Sequence, residues 1–523
     1  MTATWTWSID AAIGDAIYDE TDDPILDATD DPIRDNGWLS LTEDVIAQGE
    51  TIEWNQGIGG AGMTDLVSQS GTLTFTLDNS EVNSAGALGA YSFGHANVRT
   101  DEWKRGAQVR IGIEYGGDVE YWMFYVINCE PSAGAFGDRK VVVTASDWIS
   151  RAALTGISKL SVQTGQRPDQ VLQTLINAAA SPPVNYVLNT ETQTVFAYAL
   201  HGEQDEKTRL LTVLQKIAQS SGGAIFVDSD ATHGETLRYE PRTMRPMRSV
   251  VASFNDTMTE VEVSWPEEDV IDQVKITYNP GKVDTVNVVL AEITQEIRLA
   301  PGEVRAIDLR YRDPNGLSNR VSALSVAAQV AGTDIKASSI ERDGGTDLSS
   351  SLIVSLVAGA NSASASLYNS AAVTMYVNTF QIQGKGLYLY DPLSYVEGSD
   401  DPLHPFDYSA PYMSEYWDAK NYAELLYGRM SDNTRPNVGK VGFYADYDDT
   451  FFGYLLNGHI GQPYTLTETV TGLSTRKFYI NKRSMRIERG TLYVEWLGEP
   501  ADRYTYLQCD ASHALDDATK VLA

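Results

Sequence analysis

Cysteine is almost absent from this chain of 523 residues: Cys129 and Cys509 are the only two, far apart and without a companion at CxxC or CxxxC spacing. That excludes a disulfide framework and a cysteine-based zinc site, and it predicts a reducing compartment. Basic residues are scarce as well, 39 Lys and Arg against 71 Asp and Glu, giving a formal net charge of −32. Such a chain repels polyphosphate at long range and lacks a basic footprint, so stable DNA binding is not expected. The acidity fits a solubilising surface, and it equally fits a conduit wall along which DNA slides without sticking, because counterion-release binding needs Lys and Arg. Long apolar runs are missing too: nothing approaches the roughly 18 residues of a membrane span. Met1 to Ala12 has neither the basic start nor the apolar core of a signal peptide, so a soluble protein without an export signal is expected.

Catalytic motifs are equally scarce. The six histidines, His95, His201, His233, His404, His459 and His513, form no H-E-x-x-H, and no serine stands in a G-x-S-x-G elbow. A literal G-x-G-x-x-G occurs at Gly57, Gly59 and Gly62, but a strand-like stretch follows it where a dinucleotide fold needs a helix. A flexible glycine loop at the rim of a β domain accounts for the same residues. Asp228 to Glu235 starts like a calcium loop, yet its glycine is displaced and Tyr239 stands where the closing Glu belongs, which favours a polar hairpin turn. The direct repeat of Thr21-Asp22-Asp23-Pro24-Ile25 at Thr29-Asp30-Asp31-Pro32-Ile33 is acidic and broken by proline, and it reads as an extended arm. Carboxylate pairs suited to glycoside hydrolysis could be assembled from many acids, and spacing selects none. No catalytic, cofactor-binding or metal-ligating residue is therefore assigned, and no enzyme or cofactor is expected.

What is abundant is strand pattern. With 28 Tyr, 10 Trp and an aromatic fraction of 10%, the composition leans towards β structure, and the length predicts several domains. Leu73, Phe75 and Leu77 alternate with Thr72, Thr74 and Thr76, a half-buried strand. Further strands follow at Val109 to Ile113, Tyr121 to Ile127 and Val141 to Val143, divided by Tyr115-Gly116-Gly117-Asp118 and Ser132-Ala133-Gly134 turns. After Ser150 the period turns helical, with Val171, Leu172, Leu175 and Ile176 behind Pro168-Asp169, then Leu210, Leu211, Leu214, Ile217 and Ala218 up to Gly222. A hairpin at Ala224 to Val227 and Thr236 to Tyr239 comes next, and strands resume from Glu260 to Ile382. Between Gly384 and Trp417 the chain reads as a long Pro-, Asp- and aromatic-rich connection, the kind of loop that serves an interface.

The expected fold is mainly β and multidomain: two antiparallel barrel or sandwich domains, an inserted α/β domain and a C-terminal α+β domain. The boundaries read from the pattern are an acidic arm at 1–36, a first barrel at 37–150, the α/β insert at 151–240, a second barrel at 241–385, and the α+β part with its aromatic loop at 386–523.

Three stretches carry a resemblance. Gly71-Thr72-Leu73-Thr74-Phe75-Thr76-Leu77-Asp78-Asn79-Ser80, then Arg105-Gly106-Ala107-Gln108-Val109-Arg110-Ile111, then Val143-Thr144-Ala145-Ser146-Asp147-Trp148 resemble the first barrel of phage tail hub proteins. The helical segment, the hairpin at Gly222 to Asp228 and the closing strand pair at Ser484 to Leu497 follow in the order that family shows. The resemblance implies a virion protein of the tail tip, made in the host cytoplasm. It implies a homotrimer whose two barrels per chain give a quasi-sixfold ring beneath the tail tube or distal tail ring, touching tape measure or tip fibre proteins. DNA would pass without stable binding. The family acts through surfaces, so it transfers no site residue. Three alternatives stay open: a sixfold distal-tail ring protein, a carbohydrate-binding adhesin stacking sugars on Tyr412, Tyr416 and Trp417, and a cell-wall hydrolase.

Overall fold

A computed structural model describes residues 5–13, 37–47, 50–59, 65–133, 137–157, 160–201, 208–232, 234–256, 258–265, 270–313, 316–431 and 436–501. The acidic repeat at 21–33, Gly62, Cys509 and the tail beyond it lie outside those residues.

The first unit is antiparallel throughout. Its strands are β1 (Trp5–Ala11), β2 (Leu39–Ser40), β3 (Ile52–Gly57), β4 (Gln69–Asp78), β5 (Gln108–Tyr115), β6 (Asp118–Pro131) and β7 (Lys140–Ser146), in the order β3-β4-β7-β6-β5-β1-β2. Alternation explains β4: Leu73, Phe75 and Leu77 are buried and lie opposite Ala145, Val143 and Val141 of β7. Gly116 and Gly117, both at positive φ, make the two-residue turn from β5 to β6. Residues 5–11, expected in an arm, instead form a full sheet strand, because Trp5, Trp7 and Ile9 alternate towards the core and pair along β5.

Helices then interrupt the sheet. The second unit holds α1 (Trp148–Leu154), β8 (Gln163–Gln166), α2 (Pro168–Ala178), β9 (Tyr186–Leu188), β10 (Phe196–Ala199), α3 (Leu210–Ser221), β11 (Ala224–Asp228) and β12 (Thr236–Glu240). Pro168 occupies the first turn of α2, whose Val171, Leu172, Leu175 and Ile176 are buried. Gly222 closes α3 in the left-handed conformation at φ 70°.

Two short strands follow, β13 (Ala252–Asn255) and β14 (Glu260–Ser264), then β15 (Gln273–Tyr278). Next comes a β unit of twelve strands: β16 (Gly281–Val283), β17 (Val288–Glu292), β18 (Ile297–Leu299), β19 (Val304–Arg310), β20 (Arg312–Asp313), β21 (Gly316–Arg320), β22 (Ser322–Val326), β23 (Ile335–Ile340), β24 (Gly344–Asp347), β25 (Leu352–Ala358), β26 (Ser362–Asn369) and β27 (Met375–Leu389). The long β27 pairs with β16, β17, β18, β22 and β23, while β19, β26 and β25 make a separate sheet over the same core.

The stretch read as an aromatic connection is largely regular. It contains β28 (Leu393–Gly398) and β29 (Pro405–Ala410), which flank β15, and α4 (Tyr416–Met430) covers that small sheet. Proline and aspartate between the strands gave the segment its loop-like composition, and each strand is only six residues long. The chain then adds β30 (Asn437–Tyr444), α5 (Asp449–Asn457), β31 (Pro463–Glu468), β32 (Leu473–Glu488) and β33 (Thr491–Pro500).

These last strands take back β13 and β14. β13 runs parallel to β31, and β14 runs antiparallel to β30, in the order β14-β30-β33-β32-β31-β13. The expected second barrel at 241–385 is therefore divided, since its first two strands belong with residues 437–500. Phe254 of β13 gives the physical reason: its ring meets Phe443, Phe451, Tyr454, Tyr464 and Trp496 at centroid distances of 5.3–6.3 Å. β3 then pairs with β32 and joins the two β groups into one open sheet of 13 strands over one core. The sheet does not close on itself as a barrel.

Candidate assembly surfaces and the buried junction

The join between the two β groups depends on a glycine. Gly57 ends β3 at φ 123°, and a Cβ there would stand 2.3 Å from the Asn481 carbonyl oxygen and 2.8 Å from Lys482 Cα. Any side chain would push β3 off β32. The glycine-rich stretch is thus a strand-to-strand contact at Gly57, and among the described residues the next element is β4.

Charge is buried beside that join. Arg483 of β32 is fully buried over the Trp122 ring at 5.3 Å; it donates to the Leu455 carbonyl at 2.8 Å and to Ser229 Oγ at 3.1 Å. Its guanidinium lies 3.8 Å from Asp228 at the end of β11. His459 Nδ1 lies 3.3 Å from Asp228 and 3.7 Å from Glu120 of β6, and Arg238 reaches Asp228 at 3.4 Å. Burial alone would raise Asp228, but His459, Arg238 and Arg483 hold it below the usual carboxylate range. Glu120 moves the other way, because burial outweighs the pull of His459 and Arg483.

A second cluster stands nearby. Arg245 bridges Glu240 of β12 at 3.4 Å and Glu499 of β33 at 3.1 Å and donates to Asn481 Oδ1 at 2.8 Å, while Arg248 also pairs with Glu240. Together the two clusters link the helical unit to both β groups, through Glu120 on one side and Arg483 and Glu499 on the other. A buried pair gives little net stability but strongly penalises any arrangement that separates its members, so the clusters fix how the units dock.

The motif Ser146-Asp147-Trp148 has a structural role. Asp147 caps α1 by accepting from Ile149 N at 3.1 Å and also accepts from Gly71 N at 2.8 Å, tying the helix to β4. Burial pushes its carboxyl up to about 8, although these amides pull it down. Trp148 is buried, with its indole N–H donating to the Ser181 carbonyl at 3.0 Å.

The turn after β11 holds itself together through Asp230, whose carboxylate accepts from Thr232 N at 2.7 Å and Thr236 Oγ1 at 2.6 Å. Its backbone docks on β6 through Tyr121 N to the Asp230 carbonyl at 3.1 Å and Met123 N to the Gly234 carbonyl at 2.8 Å. Among the described residues no group of three or more His, Cys, Asp and Glu is arranged to hold a metal. His95, His201, His404 and His459 lie in different units, and His233 and His513 fall outside the described residues.

The aromatic stretch separates into two kinds of residue. Tyr412 is buried against Phe196 and His201, where it helps seat α4 and its sheet on the helical unit, so it is not available to a sugar. Tyr416 and Trp417, at the start of α4, are exposed and meet edge to face at 5.4 Å, with Tyr395 against Tyr416 and Lys420 over Trp417. Sequence reasoning missed the buried charges entirely, since Arg483, Glu240 and Glu499 occupy strand positions that alternation does not distinguish from solvent-facing ones.

No family model matches the chain, and no curated protein matches it in sequence. Solved structures to which the chain is similar include three tail proteins. The 43 kDa tail protein of prophage MuSo2 from Shewanella oneidensis is 9% identical with a TM-score of 0.48, over 96% of this chain and 99% of that one. A tail protein from Neisseria meningitidis MC58 is 8% identical with a TM-score of 0.45, over 95% and 97%. Prophage tail protein gp18 from Listeria monocytogenes EGD-e is 9% identical with a TM-score of 0.39, over 94% of each chain.

Proposed function

We propose that this chain is a non-enzymatic structural subunit of a phage tail tip, and that three copies form a hub ring joining the sixfold tail tube or distal tail ring to the tip and lining or closing the DNA channel. The observation that carries this reading is the 13-stranded sheet made of two β groups joined at β3 and β32. Three such chains around a threefold axis present six β groups, which is what a trimer needs in order to meet a sixfold partner. The net charge of −32 supports a wall over which DNA moves without counterion-release binding. The partners implied are further copies of the chain, tail tube or distal tail proteins above, and tape measure or tip fibre proteins within or below, all in the virion tail.

Mass photometry followed by negative-stain class averages tests this directly. A threefold ring with a central hole is expected. A sixfold ring would replace the hub by the distal-tail alternative, and a particle without a ring would overturn both. The exposed Tyr416 and Trp417 favour a second reading, a sugar-binding adhesin. Binding to host cell-wall polysaccharide that is lost in Trp417→Ala would establish it, whereas cell-wall cleavage abolished by one Asp or Glu substitution would establish the hydrolase alternative.

A further inference from the structure

The chain is 21% charged, yet no charged residue and no proline occurs between Asp347 and Lys385. Within that stretch β25 and β26 form two strands of the sheet β19-β26-β25, and β25 is its outermost strand, hydrogen-bonded among the described strands to β26 alone. Ile353, Tyr368 and Val304 lie directly across the three strands in one row on the outer face, 55%, 37% and 61% exposed. The next row is Ser355, Ser366 and Ala306, and Val357, 58% exposed, follows opposite Ser364. The first charges on this face, Asp308 and Arg310, sit on β19, two strands away from the free edge. Natural edge strands are guarded by lysine, proline or a bulge, and β25 has none of these.

We propose that β25 is a pairing edge for a second copy of this chain, the two strands running antiparallel about a twofold axis at Ser355. Charge argues for a copy as the occupant: each chain carries −32, so contact between copies costs least where neither side is charged. The sequence is also complementary to itself. With Ser355 opposite Ser355 of the partner subunit, Ile353 meets Val357 of the partner subunit on the outer face, and Val354 meets Leu356 of the partner subunit on the inner face. The result is one sheet of six strands with an uncharged centre, formed mainly by backbone hydrogen bonds. This contact is distinct from the ring proposed above and does not depend on it.

The test is an oxidative cross-link. Ser355→Cys, in the full chain with Cys129→Ser and Cys509→Ser, is expected to give a covalent pair on a non-reducing gel, because only this twofold register brings residue 355 against itself. Adding Ile353→Lys and Val357→Lys sets like charges opposite each other and is expected to cut the linked fraction at least about tenfold. Ile353→Lys with Val357→Glu sets opposite charges across the axis and is expected to restore it. Thermal melts matching that of the parent verify that these exposed substitutions leave the fold intact. A Ser355→Cys chain that stays single, or links equally in all three backgrounds, overturns the proposal; unlinked chains in intact threefold rings would remove this contact and leave the ring.

Discussion

Glu235 follows the turn at the end of β11 and is fully buried; its Oε1 accepts from Tyr125 Oη at 3.1 Å and Val184 N at 3.2 Å, and Oε2 meets no donor among the described residues. Burial pushes it up to about 7, against the pull of those same donors. An unfolded Glu titrates near 4.3, so between about pH 4.3 and 7 the folded chain binds the extra proton and stability falls as pH rises. Glu235→Gln keeps the accepting oxygen and removes the charge. The variant is expected to match the parent near pH 4 and to exceed it at pH 8 by on the order of 2 kcal/mol in urea denaturation. An equal difference at both pH values would assign the effect to packing. Asp147 contributes in the same direction, its carboxyl raised to about 8 by burial.

At the scale of elements, the β3–β32 pairing is the seam of the molecule, and Gly57 is where its backbones come closest. Gly57→Ala is expected to cost about 2–4 kcal/mol, from the clash with the Asn481 carbonyl and from the φ of 123° that alanine resists. Because the seam holds two β groups together, denaturation should also broaden or split into two transitions; a single transition at the parent's midpoint would show that the seam adapts. Local pattern made much of this scale readable. Leu73, Phe75 and Leu77 announced β4 and the apolar face of α2 announced a helix, since each signal lies within one turn or one strand. Pairing partners were not readable in this way. β13 and β14 look like the strands that follow them, and only Phe254 meeting Phe443 and Trp496 reveals where they belong. β28 and β29 were hidden by the prolines and aspartates around them. Arg483, Glu240 and Glu499 carry charge into the interior, and alternation reads any charged residue as facing outwards.

For the whole molecule, charge and symmetry act against each other. In the proposed ring, like chains at −32 each would have to be held together by short-range contacts against long-range repulsion. Raising ionic strength from about 20 to 150 mM shortens the screening length to about 8 Å, so rings should become more populated, where assemblies built on ion pairs weaken. Sedimentation at the two salt concentrations distinguishes these outcomes, and fewer rings at the higher salt would place ion pairs, not apolar contacts, between subunits.

The nested order of the chain also sets a timetable for synthesis. β3 and β14 leave the ribosome with unpaired edges, and their partners β32 and β30 are encoded near the far end. Roughly 170 residues separate β14 from β30, and at about 5–20 residues per second that gap lasts on the order of ten to thirty seconds. The intervening units can fold meanwhile on their own cores and bring the ends of their segment together, shortening the effective loop that β14 must close. A nascent chain stalled before β30 would therefore present open strand edges to its neighbours on the same message, the condition under which like chains pair edge to edge.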